Sequence, residues 1–248
     1  RNKNAKGRGT ACGVKNMNEK TAQFSLRGLF QPRDLTEGTP WKTILAFALP
    51  IIISYLLQQV YTISDAAIVG QTLTAGEVAG VNDTTSIIFI FLQFAFGVSA
   101  GFCVVTAAEV GAHHEAGVRR SLAAQILLSA ALTVLLTGLA LLLLKPMLAW
   151  INVTPESPEV YRAAHTYCAI IFAGIGAQLF YNFICSFLRS MGDSVTPLLF
   201  LLFSTILNIG LDLLFIVSFH WGVAGAAIAT VAAQLISTVG CFLYAFVK

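Results

Sequence analysis

Long apolar segments without charged residues dominate this chain from residue 43 onward. The stretches 84–108, 121–144 and 163–188 contain no Asp, Glu, Lys or Arg. Each exceeds the roughly 20 apolar residues that cross a bilayer as an α-helix. Glycine, proline and polar clusters separate the segments. The pattern predicts about six helices, over residues 43–69, 80–108, 119–144, 161–188, 194–218 and 222–247.

The composition agrees with a membrane protein and excludes an ordinary soluble domain. Of the 248 residues, 56% are hydrophobic and 11% are charged, and the mean hydropathy is +0.77. A soluble domain carries about 25% charged residues, so this chain lacks the charge to cover a water-facing surface. It also lacks nucleophile-elbow, metalloprotease and phosphate-loop motifs. The sequence therefore predicts an all-α, polytopic membrane protein that is not an enzyme, with residues 43–248 as its transmembrane domain.

Lysine and arginine are unevenly distributed, and the asymmetry predicts an orientation. Nine of the fifteen lie in residues 1–42, which we expect to form a basic cytoplasmic tail. The loops on the side of the tail add Arg119, Arg120, Arg189 and Lys248, and the opposite side has Lys145 and Arg162. The positive-inside rule therefore places the N-terminus of this multi-pass protein in the cytoplasm, with the cell inner membrane as its location. Because the tail directly precedes membrane spans, we expect it to contact the bilayer surface and not a nucleic acid.

The cysteines and the first methionine bear on disulfides, metal sites and the start of the native protein. Four of the five cysteines lie inside apolar segments, and no CxxC pair occurs. We therefore expect packing roles for them, without a disulfide framework or a structural metal site. The chain does not begin with methionine, and Met17 is a candidate initiator. In that case residues 1–16 would lie outside the native protein.

Two carboxylates interrupt the apolar segments, Asp65 in the first predicted helix and Asp212 in the fifth. A charged side chain at the bilayer centre costs about 2.5–3.5 kcal/mol on the insertion scale. Such residues usually face a cavity or a partner and indicate a functional site. The alternative is that each lies near a helix end and reaches interfacial water. That alternative is stronger for Asp65, because Gly70 follows closely.

Polar residues recur at helical spacing on five of the predicted helices. Steps of three and four residues place each set on one helix face. The sets are Ser54, Gln58, Tyr61 and Asp65 in the first helix; Ser121, Gln125, Ser129, Thr133 and Thr137 in the third; Gln178, Asn182 and Ser186 in the fourth; Ser204, Asn208 and Asp212 in the fifth; and Thr230, Gln234 and Ser237 in the sixth. Polar faces on several helices are best satisfied around a shared, wet cavity.

Depth along the helices indicates which of these groups can meet. Asp212 lies eight residues before the turn near His220, and Thr230 lies ten residues after it. At about 1.5 Å per residue, both lie roughly 12–15 Å from the same end of the bundle. Asp65 belongs to the same half, whereas Asn182 lies deeper toward the other end. Two carboxylates together with hydroxyl and amide oxygens suit a proton or a hard cation such as Na⁺.

The remaining polar residues are interpreted as structural. Asp83 and Asp193 lie near predicted loops, where carboxylates commonly cap helices. The polar residues of the loop 109–118 are expected to be solvated. Pro50 removes a backbone hydrogen bond from the first helix, which predicts a kink there.

Four segments resemble the N-terminal half of a multidrug and toxic compound extrusion (MATE) transporter. They are LPIIISYLLQQVYTISDAAIVGQ (49–71), FLRSMGDSVTP (187–197), LNIGLD (207–212) and WGVAGAAIATVAAQLIS (221–237). Their order and spacing carry the resemblance, which covers residues 35–248. It implies one six-helix lobe of a two-lobed, twelve-helix antiporter. Such a protein would export cationic, amphipathic drugs or toxic compounds by alternating access, in exchange for H⁺ or Na⁺ and without a further cofactor.

The same resemblance implies functional residues. A cation- or proton-binding site is expected at Asp65, Asn208, Asp212 and Thr230, with Na⁺ at Asp65 and Asp212 if sodium is the coupling ion. The substrate cavity is expected to be lined by Gln58, Tyr61, Gln178, Asn182 and Gln234.

The sequence also departs from the family pattern. The loop GAHHEAG (111–117) stands where similar sequences often have a Gly-Asp pair, and Cys185 stands where similar proteins can carry Asn. The second lobe is absent, so we expect a fragment or a truncated product that requires a C-terminal lobe as its partner. Two alternatives stay open. A lipid-linked saccharide flippase of the same superfamily would favour a basic cavity, and a non-transporting membrane scaffold would tolerate neutralisation of both carboxylates.

The charge distribution predicts a topology that cysteine labelling can test. Residues 109–118 and 189–193 should be cytoplasmic, and residues 70–79 and 145–160 should lie outside. In a background without native cysteines, Glu156→Cys should react with an impermeant maleimide in intact cells. Glu115→Cys should react only after the cells are permeabilised. Labelling of Glu115→Cys in intact cells would overturn the orientation.

Overall fold

The computed structural model describes residues 39–247, which form a helical bundle. In chain order the helices are α1 (Pro40–Thr72), α2 (Ala75–Gly111), α3 (Glu115–Leu142), α4 (Leu144–Trp150), α5 (Pro158–Ala173), α6 (Ile175–Ser190), α7 (Val195–Asp212) and α8 (Gly222–Val247). A π-helical segment, Leu213–Ser218, continues α7. Most of the predicted tail, residues 1–42, lies outside the described residues.

Five of the described helices are long and apolar enough to cross a bilayer, and α5 with α6 adds a sixth span bent by 45°. Helices α1, α2 and α3 are spans 1 to 3, and α5 with α6 is span 4. Helix α7 with its π-helical segment is span 5, and α8 is span 6. The predicted all-α lobe of about six spans is confirmed.

The turn between spans 1 and 2 is much shorter than the predicted loop 70–79. Helix α2 starts at residue 75 because Thr74 and Glu77 form a reciprocal capping box, in which each side chain accepts the other residue's backbone N–H. The glycines that suggested a longer turn, Gly70, Gly76 and Gly80, lie inside helices. A glycine in a helix can permit close packing as well as mark a turn.

The two carboxylates interpreted as caps have different outcomes. Asp193 caps α7, since it accepts the backbone N–H of Thr196 at 3.0 Å and the Thr196 hydroxyl at 2.8 Å. Asp83 lies within α2 as an exposed residue, because that helix starts earlier than the pattern predicts. The interpretation of Asp83 as a helix cap is therefore wrong.

Span 4 bends at Gly174, although the sequence predicts one continuous helix over 161–188. A Cβ atom at Gly174 would collide with the side chain of Val231 on α8. The missing side chain therefore lets span 6 pack into the bend. Both halves of the span are deeply buried, and Phe172 and Phe183 on either side of the bend have no exposed surface. Span 4 consequently forms the centre of the lobe.

Spans 1 and 2 lie apart although they are consecutive in the chain. Helix α1 packs chiefly along α7 and contacts α2 only sparsely, whereas α2 packs on α5 and α6. The outward face of α1 is apolar and exposed, with Ile44, Leu56 and Ile63 among its residues. This arrangement leaves a gap between spans 1 and 2 that opens toward span 4.

The polar stripe of span 3 does not join the shared cavity that the sequence predicts. Gln125 is buried, and its Nε2 atom lies within hydrogen-bonding distance of the Phe102 carbonyl at 2.9 Å, the Ser121 hydroxyl at 2.8 Å and the Thr106 hydroxyl. Its two N–H groups are shared among these three oxygens. Thr106 and Ser121 are bonded to each other at 2.8 Å. These bonds fasten span 3 to span 2, because a buried amide in a membrane must find its partners within the protein.

The contact between α2 and α5 depends on Gly80, and substitution should expose that dependence. A Cβ atom there would lie 2.6 Å from the Val160 carbonyl oxygen and 2.8 Å from the Ala163 Cβ. Gly80→Ala should therefore lower the free energy of unfolding by about 1–3 kcal/mol through overpacking, measured by thermal unfolding of the purified chain.

Gly97→Ala on the same helix is the matched control, since a Cβ atom there has no neighbour within 4 Å. It should leave stability unchanged or raise it slightly, because alanine favours the helix. Equal losses in the two variants would contradict the close packing at Gly80.

Candidate functional site

The packing of α1 along α7 brings Asp65 and Asp212 together. Their carboxyl groups lie within hydrogen-bonding reach of each other. Asp212 is fully buried and Asp65 is partly buried. Carboxylate oxygens are acceptors only, so the contact becomes a hydrogen bond when one carboxyl carries a proton. The pair can therefore hold a proton or a cation between its oxygens.

Three uncharged polar side chains complete this group, which we call the carboxylate cluster. The hydroxyls of Tyr61 and Thr230 lie next to each other and close to the carboxylates. Asn208 lies one helical turn from Asp212 and is fully buried. The cluster therefore joins spans 1, 5 and 6, and it contains the four residues for which the sequence predicts an ion site.

The cluster is short of hydrogen-bond partners. Within residues 39–247, the buried atoms without a hydrogen bond of normal geometry include Tyr61 Oη, Asp65 Oδ1, both side-chain polar atoms of Asn208, both carboxyl oxygens of Asp212 and Thr230 Oγ1. Buried polar groups are usually paired, and an unpaired one costs about 1–3 kcal/mol. Several unpaired oxygens in one place are chemically suited to a proton or a cation.

Asp212 lies where span 5 changes from α-helix to π-helix. In the π-helical segment the Phe219 N–H bonds to the Leu214 carbonyl, five residues back, at 3.0 Å. Such segments are uncommon and occur frequently at functional sites. The sequence pattern gives no signal for this change of helix type.

A cavity of about 680 Å³ lies between span 1, span 2 and span 4. Four of the five side chains predicted to line a substrate cavity are on its wall: Gln58, Gln178, Asn182 and Gln234. Tyr61 is not on this wall and belongs to the carboxylate cluster instead. Asp65 lies on the wall and also contacts Asp212, so it is the direct link between the cavity and the cluster.

The cavity wall holds further residues that the sequence analysis did not single out. Aromatic rings line it at Tyr55, Phe89, Phe96, Tyr167 and Tyr181. Tyr167 is near both carboxylates of the cluster. It lies eleven residues before Gln178, which is three helical turns, so helical spacing could have identified it.

The position of Arg189 on the cavity wall also could not be predicted from the sequence. The sequence places it among the loop charges, but it lies in the last turn of α6 and lines the cavity. The wall therefore carries a carboxylate, Asp65, and a guanidinium, Arg189, together with amides and aromatic rings.

The sequence model of the family described as MatE matches residues 50–214, which is more than half of the chain. The chain belongs to the MatE family. Members of this family are transporters and not enzymes, in agreement with the sequence analysis. The matched residues run through spans 1 to 5 and include Asp65 and Asp212.

Curated relatives of this MatE chain include two bacterial proteins. It is 33% identical over 217 residues to the "Probable multidrug resistance protein YpnP" of Bacillus subtilis, covering 85% of this chain and 46% of that protein. It is 27% identical over 213 residues to the "Probable multidrug resistance protein NorM" of Thermotoga maritima, covering 84% of this chain and 44% of that protein. The chain thus spans about half the length of the curated relatives it matches.

Solved structures give the same assignment for the fold. The structure described as an outward-facing conformation of a multidrug resistance MATE family transporter matches with a TM-score of 0.78 and 26% identity, covering 85% of this chain and 46% of that one. A MOP superfamily transporter from Pyrococcus furiosus matches with a TM-score of 0.77 and 26% identity, covering 86% of this chain and 46% of that one. The MatE chain therefore has the fold of one lobe.

Asn208 and Gln125 are both buried amides but differ in their hydrogen bonding, so substituting each gives a matched test of stability. The Asn208 amide makes no hydrogen bond of normal geometry, whereas the two N–H groups of Gln125 have three oxygens within hydrogen-bonding distance. Asn208→Leu should raise the thermal stability of the purified chain by about 1 kcal/mol, because it removes an unpaired polar group.

Gln125→Leu should lower stability by about 1–3 kcal/mol, because it leaves buried partners unpaired. Both changes in stability are to be measured by thermal unfolding in a buffer without Na⁺. A loss at Asn208→Leu as large as that at Gln125→Leu would show that Asn208 has a structural role in place of a binding role.

Proposed function

We propose that the chain is the N-terminal lobe of an antiporter that exports amphipathic, cationic compounds in exchange for H⁺ or Na⁺. The observation that carries the proposal is the contact between Asp65 and Asp212 in a buried cluster whose oxygens lack partners. Keeping two unpaired carboxylates in a membrane lobe is costly. A scaffold would gain nothing from that cost, whereas an ion-coupled transporter requires it.

The cluster fits either coupling ion. A proton would be shared by the carboxyl oxygens of Asp65 and Asp212, which supply acceptors at close range. Sodium would draw on oxygens of Asp65, Asn208, Asp212 and Thr230, the hard donors that such a cation prefers. The unpaired state of these atoms supports both assignments.

The cavity suits an amphipathic cation. Its wall offers aromatic faces at Tyr55, Phe89 and Tyr167, which attract organic cations, and a carboxylate at Asp65. Amides at Gln58 and Gln178 provide adaptable hydrogen bonds. The multidrug names of the relatives support this substrate class.

Asp65 gives the proposal a route for coupling. It belongs to the cluster that would hold the ion and to the wall that would contact the substrate. If the ion and the substrate both bind to the Asp65 carboxylate, binding of either one weakens binding of the other. An exchange of ion for substrate requires such competition. Alternating access would involve a second, C-terminal lobe as the partner of this one, in the cell inner membrane with the N-terminus cytoplasmic.

Neutralising the carboxylates tests the proposal. In the complete two-lobed transporter, Asp65→Asn and Asp212→Asn should each abolish ion-coupled drug efflux at unchanged expression, because the cluster loses the charge that attracts the ion. Efflux is measured in proteoliposomes with an imposed pH or Na⁺ gradient, and the gradient that drives it identifies the coupling ion.

Asp83→Asn is the matched control, since it removes an exposed carboxylate of span 2 outside the cluster. It should retain efflux. Full efflux by both cluster variants at equal protein levels would reject coupling through this site and favour the scaffold.

A further inference from the structure

Arg189 is the cationic side chain on the cavity wall within the described part of the chain. Its Nε atom is buried and has no hydrogen-bond partner there. Two carboxylates at the same end of the bundle have partners of their own. Asp193 accepts from Thr196, and Glu109 pairs with His114 at 2.8 Å.

The ordinary role of an arginine at a helix end does not account for this geometry. Such side chains usually extend their charged end into interfacial water, as the exposed Arg119, Arg120 and Arg162 do. Arg189 instead lies partly buried on the cavity wall, near Tyr181 and Cys185. A buried donor without a partner is costly, so the Arg189 Nε atom favours a ligand that can accept a hydrogen bond from it.

The approach to Arg189 is lined with polar groups on one helix face. Gln178, Asn182 and Arg189 follow one another on α6 at intervals of four and seven residues, and all three lie on the cavity wall. Gln178 donates a hydrogen bond to Asn182 Oδ1 at 3.4 Å, so the two amides form a polar strip on α6 that ends at the guanidinium. Hydrogen-bond donors arranged in this way, with an arginine at the end, match an anionic group such as a phosphate or a carboxylate.

Arg189 lies far from the carboxylate cluster. Tyr167, which is near Asp65, precedes Arg189 by 22 residues in span 4. At about 1.5 Å per residue, this corresponds to about 33 Å along the two helices. The cavity wall is therefore negative near one end and positive near the other, with aromatic rings between.

We propose that Arg189, approached along Gln178 and Asn182, forms an anion-binding subsite for the phosphate or carboxylate group of an amphipathic molecule. The apolar part of the molecule would lie against the aromatic rings of the same wall, such as Phe89 and Phe96. The inference rests on the proposed function in one respect, that the cavity holds the transported molecule. Among the cationic amphiphiles proposed above, it favours those that also carry an anionic group, that is, zwitterions.

Ligand binding to the purified full chain tests this subsite. The chain is placed in phosphatidylcholine nanodiscs and titrated calorimetrically with hexyl phosphate or with hexyltrimethylammonium, and empty nanodiscs provide the blank. Hexyl phosphate should bind to the wild-type chain, and Arg189→Gln should weaken that binding by about tenfold or more, because a charge-assisted, two-pronged contact is lost. Binding of hexyltrimethylammonium should be unchanged by the same substitution.

Three variants separate this role from others. Arg120→Gln, an exposed arginine at the same end of the bundle, should leave the affinity for hexyl phosphate unchanged. Arg189→Lys should fold with its charge retained and bind more weakly than wild type but better than Arg189→Gln, since lysine lacks the planar fork. Asp83→Asn, an exposed carboxylate outside the cavity and the cluster, should also leave that affinity unchanged. Calorimetric binding needs no ion gradient, so failure of the coupling proposal and failure of this one are distinguishable.

The source of the anion is decided by changing the lipid. If a lipid headgroup occupies the subsite, added phosphatidylglycerol should reduce hexyl phosphate affinity in the wild-type chain but not in Arg189→Gln. If a free molecule occupies it, affinity should be insensitive to phosphatidylglycerol and reduced by inorganic phosphate. Both outcomes support an anion subsite. Equal hexyl phosphate affinity in wild type, Arg189→Lys and Arg189→Gln would overturn it.

Discussion

The contact between Asp65 and Asp212 is the constraint on which the rest of this lobe depends. A membrane interior offers no water to pair or screen two carboxylates, so their partners must come from the protein or from a bound species. The buried Gln125 amide, by contrast, has three oxygens within hydrogen-bonding distance of its Nε2 atom. The fold is therefore able to pair a buried amide, and the carboxylate cluster holds most of the unpaired buried side-chain atoms among residues 39–247.

Two backbone irregularities shape the surroundings of that cluster. Gly174 bends span 4 and admits Val231, so span 6 packs closely against the centre of the lobe and carries Thr230 toward the carboxylates. The π-helical segment begins directly after Asp212 and changes the path of the outer part of span 5. Both features lie next to residues of the cluster, where deviations from regular helix are most often retained for function.

The lengths of the apolar segments predicted the span count, and the cost of polar residues in a membrane segment pointed to the residues of the cluster. Asp65, Asp212 and Asn208 stand out against apolar neighbours, and helical spacing relates them to one another. The short turn capped by Thr74, the bend at Gly174 and the π-helical segment could not be predicted in this way. They depend on which helices become neighbours, and a glycine alone does not distinguish a turn from a close helix contact.

Arg189 shows the same limit for a charged residue. By its position in the sequence it counts toward the orientation of the protein, and the structure adds a second property by placing it on the cavity wall. Asp65 also lies on the cavity wall, and it belongs to the carboxylate cluster as well. The cavity therefore has a carboxylate near one of its ends and a guanidinium near the other. If the cavity holds the transported molecule, as proposed, Asp65 is the charge that ion and substrate would share, whereas Arg189 would act on the substrate alone.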